Sequence, residues 1–221
     1  MVATVDNTML KHENAQEGSD PGEEKIQGYI SEFSNGVFAF AITLLVLDLI
    51  VPAGTSKAAL PSALAALWPN YMAFLISFFV IGLYWSTYIR LLMEIVRTDR
   101  LFIWLNLLFL LFIIVIPFST RVISLYLTQL TVIIYAALMA CAGYMYSILR
   151  IYAGRNHRLI SEKYSSWHIK RGIIISFIAP TCFTLSIGVS YFNTFIAQLF
   201  WALIFVLHMI IVRLPRFRNA Q

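Results

Sequence analysis

Six long apolar runs, near residues 29–52, 62–92, 100–121, 125–150, 168–191 and 193–213, constrain this chain more than any other feature. As a helix, each is long enough to cross a hydrocarbon core of about 30 Å, which takes roughly 20 residues. The chain is 60% hydrophobic and 12% charged, about half the charged fraction of an ordinary soluble domain. Water is therefore not the solvent for most of its surface. The runs do not alternate apolar and polar residues, which argues against a barrel of membrane strands. The expected fold class is an all-α integral membrane protein with six transmembrane helices per subunit.

Charge placement sets the expected topology. Of the 16 lysines and arginines, only Lys57 and Arg121 fall on the side opposite the rest. By the positive-inside rule both termini lie in the cytoplasm, giving a multi-pass protein of a cell membrane. The expected organisation is a polar, disordered cytoplasmic tail over 1–28, a six-helix transmembrane domain over 29–213 and a basic tail over 214–221. The net charge of +5 reads as a topology signal. No nucleic-acid reading module accompanies it, so nucleic acid is not an expected partner. Trp68 and Trp167, near run ends, fit anchoring at the membrane–water boundary. The N-terminus is polar, without the early apolar core of a cleavable leader.

Sites for enzyme or metal chemistry are not legible. His12, His157, His168 and His208 show no i,i+4 pairing and no carboxylate or cysteine at ligand spacing. Cys141 and Cys182 sit in apolar runs and read as small packing residues. No nucleophile elbow, phosphate loop or HExxH pattern occurs. No enzyme, cofactor or metal is expected. A potassium filter of the TVGYG kind is also absent. Gly143-Tyr144 is a lone dipeptide in a helical run and reads as packing.

The first run, EFSNGVFAFAITLLVLD, is unusual because it carries polar groups at both ends and a hydroxyl at mid-depth. On a helical wheel Phe33, Gly36, Phe40, Leu44, Leu47 and Val51 fall within about 40° of one line, with Thr43 at the edge. Ser34 and Asn35 point to the other side, where lipid offers no hydrogen bonds and the protein must. Asp48 lies laterally near the outer end. Such a stripe fits packing or lipid contact as well as a pathway. Ser34 and Asn35 could equally cap a helix start, and Asp48 could snorkel to the interface.

Phe33-Ser34-Asn35-Gly36-Val37-Phe38-Ala39 and Ala41-Ile42-Thr43-Leu44-Leu45-Val46-Leu47-Asp48 resemble the first helix of prokaryotic members of the transmembrane protein 175 family. That helix is marked by an Arg-x-x-x-Phe-Ser-Asp motif. Ile81-Gly82-Leu83-Tyr84-Trp85 is similar to the family's second helix. Asp99-Arg100, Trp104-Leu105-Asn106 and Pro117-Phe118 are similar to its third. The resemblance implies a potassium-permeable channel in a prokaryotic plasma membrane. It implies a homotetramer in which the first helix of each subunit lines the axis. The partners would be further copies of the chain, monovalent cations and the lipid bilayer. By position, it implies apolar constriction rings at Phe40, Leu44 and Leu47, with the filter-associated threonine at Thr43. Asp48 becomes a candidate for the outer mouth.

Four positions depart from the family pattern. Tyr29 stands for the motif arginine and Asn35 for its aspartate. The Thr87-Tyr88 region replaces a second-helix histidine, and Phe40 replaces a smaller aliphatic residue. Losing one partner of a buried ion pair costs about 3–5 kcal/mol, whereas replacing both can be nearly neutral. The expectation is a neutral hydrogen-bond cluster built from Ser34, Asn35, Trp85, Tyr88 and Asn106 beside Phe33. Two rival classes are a proton-coupled secondary transporter using Asp48 and a non-conducting membrane scaffold.

Overall fold

A computed structural model describes residues 21–201. Helix α1 runs over Pro21–Leu44 and tightens into a 3₁₀ turn, Leu45–Asp48. It starts earlier than expected, so residues 21–28 of the supposed disordered tail are helical. A proline suits a first helical turn, where its missing N–H would have had no partner. Gln27 then ties this extension down. Its Nε2 donates to the carbonyls of Leu92 at 2.7 Å and Ile95 at 2.9 Å. Both carbonyls lie where the helix ending at Glu94 runs out of its own donors, and Leu92 also accepts from the Ile95 amide at 3.3 Å.

After a loop that turns at Gly54 (φ +82°), α2 (Leu60–Ala66) and α3 (Trp68–Glu94) follow. The second apolar run is thus divided, with the long helix starting at Trp68. Pro69 explains the break, because it cannot donate to the preceding turn and disfavours helical backbone before it. Helix α4 (Arg100–Leu125) is capped by Asp99, whose Oδ1 accepts from the Phe102 amide at 2.8 Å. Helix α5 (Gln129–Gly154) opens on a capping box between Thr128 and Thr131. The fifth run is kinked at Phe177 into α6 (Ser166–Ser176) and α7 (Ile178–Ser190). Pro180 removes a hydrogen bond there. Residues 194–201 are helical, with the Asn193 side chain accepting from the Phe195 and Ile196 amides.

Among the described residues, five stretches are long and apolar enough to cross a membrane: Lys25–Asp48, Trp68–Glu94, Arg100–Leu125, Gln129–His157 and Ser166–Ser190. Most of the sixth expected span, and all of the 214–221 tail, lie outside the described residues.

Helix α5 is the centre of the bundle, packed chiefly on α4 and α7. Its Gly143 admits close neighbours, since a Cβ there would lie 2.9 Å from Pro180 and from the Tyr84 hydroxyl. Helix α1 packs on α3 and α4. Buried hydroxyls at mid-bundle are satisfied inside the protein, as a bilayer requires. Ser77 meets Thr120 at 2.8 Å and Tyr135 at 2.9 Å, and Tyr84 donates to the Met139 carbonyl at 2.7 Å.

The end bearing Gln27 is heavily cross-linked. The 95–99 and 155–165 connections pair through Ile95 and Ile160, and the Val96 amide donates to the Leu159 carbonyl at 2.9 Å. Asp99 also accepts from Tyr152 and from Arg158. Partial burial alone would raise the Asp99 carboxyl, but hydrogen bonds from Tyr152, the Phe102 amide and Arg158 outweigh it and hold the group below the usual carboxylate range.

Candidate functional site

The two faces of α1 have separate environments. Ser34, Phe38, Ala41 and Leu45 recur at helical spacing and are buried against α3 and α4. Phe38 enters an aromatic knot with Tyr88 and Phe109, at centroid distances of 5.7 and 6.0 Å. Phe109 also contacts Tyr146 of α5 at 5.8 Å. The wheel thus receives a physical anchor. Phe38 fixes the rotation of α1, and rotation decides which residues stay uncovered.

The uncovered residues include most of the apolar stripe, with Glu32, Ala39 and Val46 exposed beside it. Phe33, Phe40 and Leu47 are 57%, 60% and 62% exposed. Gly36 and Thr43 are also exposed, and Leu44 is half-buried. The Thr43 hydroxyl donates back to the Phe40 carbonyl at 2.9 Å, leaving an oxygen lone pair on the uncovered side. Val51 falls past the end of the helix, so the stripe ends at Leu47 rather than Val51. Tyr29 and Phe40, two of the departures from the family pattern, are both exposed.

Polar residues behind the stripe form two groups. Ser34 is fully buried. Its oxygen lies 2.8 Å from the Tyr88 hydroxyl and accepts from Asn106 Nδ2 at 3.2 Å. Asn35 is separate. Its Oδ1 accepts from Trp85 Nε1 at 3.0 Å. All five residues expected to cluster are therefore hydrogen-bonded in two sets, joined through adjacent residues of α1. Ser34 and Asn35 sit well inside the helix and do not cap it. Every contact in this region is between uncharged groups, where one lost partner leaves an unsatisfied donor or acceptor rather than a buried charge.

At the other end of α1, Asp48 Oδ1 accepts from Arg121 Nη1 at 3.0 Å. This ion pair joins α1 to α4 and engages the carboxylate that a proton-coupled carrier would need free. Arg121 was legible only as a topology exception. The sequence also gave no sign of a second ionic group. Glu94 at the end of α3 receives Arg150 Nη2 at 2.9 Å, and His168 Nε2 lies 3.1 Å from it. His168 thus has a carboxylate companion, one that lies far away in the chain. Gln27 was likewise missed, since a glutamine before an apolar run carries no spacing signal.

Residues 29–117, spanning most of α1 through α4, match the family model described as endosomal/lysosomal potassium channel TMEM175. A potassium channel of Streptomyces collinus is 41% identical over 102 residues, covering 46% of this chain and 50% of that protein. The chain thus aligns with half the length of that relative. A potassium channel of Chryseobacterium sp. is 30% identical over 185 residues, covering 83% of this chain and 93% of the relative. The fold matches the crystal structure of a lysosomal potassium-selective channel TMEM175 homolog from Chamaesiphon minutus. The TM-score is 0.73 at 25% identity, over 86% of this chain and 100% of the other.

Proposed function

This chain belongs to the TMEM175 family of potassium channels, and from that membership we propose that it conducts potassium through a pore lined by α1 from four copies. The family is one of ion channels, not enzymes. One observation carries the assembly. An apolar stripe running from Phe33 to Leu47 lies uncovered on the same helix whose opposite face is locked into the subunit. A single helix has no lumen, so closed symmetry must supply one, and four identical stripes facing an axis would do so.

Rings of Phe40, Leu44 and Leu47 then form the constriction. A narrow apolar ring resists wetting and so acts as a gate. An ion passing it sheds part of its hydration, and potassium holds its water less tightly than sodium. Thr43, whose hydroxyl proton is engaged with Phe40, offers its oxygen to the permeating ion. Ser34, Tyr88 and Asn106, with Asn35 and Trp85, hold the angle of α1 and therefore the radius of every ring.

The test is cation flux in liposomes containing the purified chain, under opposed potassium and sodium gradients, alongside chemical cross-linking for copy number. Leu44→Asn should wet the constriction and move the reversal potential toward equal permeability. A reversal potential unmoved by that substitution, or absent flux in a verified tetramer, would overturn the reading.

A further inference from the structure

At the end of the bundle opposite Asp48, a cavity of about 120 Å³ opens between α3, α5 and α6. It is far larger than the roughly 10–15 Å³ that one water requires. Arg90, Glu94, Tyr146, Arg150, His168 and Arg171 line it, so three guanidinium groups face one carboxylate. Glu94 is already engaged by Arg150 and His168. The lining therefore holds more guanidinium groups than carboxylates, and the walls of a cleft focus such a field.

Arg150 is the second clue. It is 5% exposed, and its Nε has no hydrogen-bond partner among the described residues. A buried, unmatched N–H on a charged group is costly unless something satisfies it. Its position is built in. A Cβ on Gly172 would lie 1.9 Å from Arg150 Nη2 and 2.2 Å from Nε, so only glycine lets the guanidinium lie across α6 here. Trp167, half-exposed at the start of α6, sets the depth near the headgroup layer.

We propose that this cavity is an anion site that takes a phosphate group, held by the guanidinium groups of Arg90, Arg150 and Arg171. Guanidinium geometry suits phosphate oxygens, which accept paired N–H donors. The same chemistry is offered by a phospholipid headgroup and by free phosphate. The site is separate from the α1 stripe, and its occupancy is read without measuring conduction.

The experiment measures thermal unfolding of the full-length chain in neutral detergent. One arm compares inorganic phosphate with chloride at matched ionic strength. The other compares mixed micelles holding phosphatidic acid with micelles holding phosphatidylcholine. Stabilisation by inorganic phosphate identifies a soluble anion as ligand, and stabilisation by phosphatidic acid alone identifies a headgroup. Arg90→Gln and Arg171→Gln should weaken the effect about tenfold, the loss of one charge-assisted hydrogen bond. Gly172→Ala, which displaces Arg150, should weaken it comparably. Lys170→Gln removes an exposed charge outside the cavity on the same helix and should leave the effect intact. The proposal is overturned if neither anion stabilises the protein, or if Lys170→Gln weakens the effect as much as Arg90→Gln. Because Arg90 is exposed, its variant remains informative even if Gly172→Ala does not fold.

Discussion

Helices α1 and α5 are alike in length, with 24 and 26 residues, and both read as apolar spans. Their surroundings differ sharply. Helix α5 is buried around most of its circumference, from Val132 and Tyr135 through Met139 and Tyr146 to Ala153. Helix α1 buries one narrow row and leaves the opposite row open. Apolarity therefore does not distinguish a helix buried on most sides from one that keeps an open face. The distinction lies in what the second face meets. On α5 it meets more protein. On α1 it meets none of the described residues of the subunit, although the row keeps strict helical spacing.

This contrast predicts a graded response. The largest effect should come from the α3–α5 ion pair. Glu94→Ala strands a buried guanidinium and should cost about 3–5 kcal/mol, read as lost thermal stability of the solubilised protein. A change of under about 1 kcal/mol would mean that Arg150 finds another partner there.

Next comes the buried face of α1. Ser34→Ala removes the oxygen shared by Tyr88 and Asn106, and should cost about 1–3 kcal/mol. Thermal unfolding measures it directly. If this variant matched wild type, the inner face of α1 would not be what fixes its rotation.

Asp48→Asn weakens a pair whose arginine is largely open to solvent, and should cost about 0–1 kcal/mol. Its flux should not acquire or lose a dependence on a proton gradient. A lost proton dependence would revive the carrier reading.

The smallest stability effect belongs to the open face. Phe40→Ala should change subunit stability by no more than about 0.5 kcal/mol. On the proposed pore its leak current in liposomes should nevertheless rise, because the bulkiest of the proposed rings would be gone. A strong loss of stability without any change in current would place Phe40 against another protein surface and collapse the contrast with α5.

Several features were legible early because they depend on solvent or on period. The long apolar runs follow from the bilayer's thickness, and the stripe on α1 follows from 3.6 residues per turn. Ser34 and Asn35 could be assigned to the opposite face for the same reason. Boundaries were less legible. The helical extension over 21–28 is secured by Gln27 bonding to carbonyls of another helix, a contact between residues far apart in the chain. The split at Leu67 and the kink at Phe177 could be marked by Pro69 and Pro180, yet a proline alone does not say whether neighbours will rescue the helix.

The sequence by itself determined that this chain is a membrane protein of long helices, because composition must match the solvent at every depth. It also determined which residues of α1 share a side, because helical period is a local property of the backbone. Only the tertiary structure decided which side is open, through Phe38 packing against the Tyr88–Phe109 pair. It alone brought Arg150 and His168 to Glu94. Those choices depend on side chains from several helices competing for the same volume, and no short stretch of sequence encodes that competition.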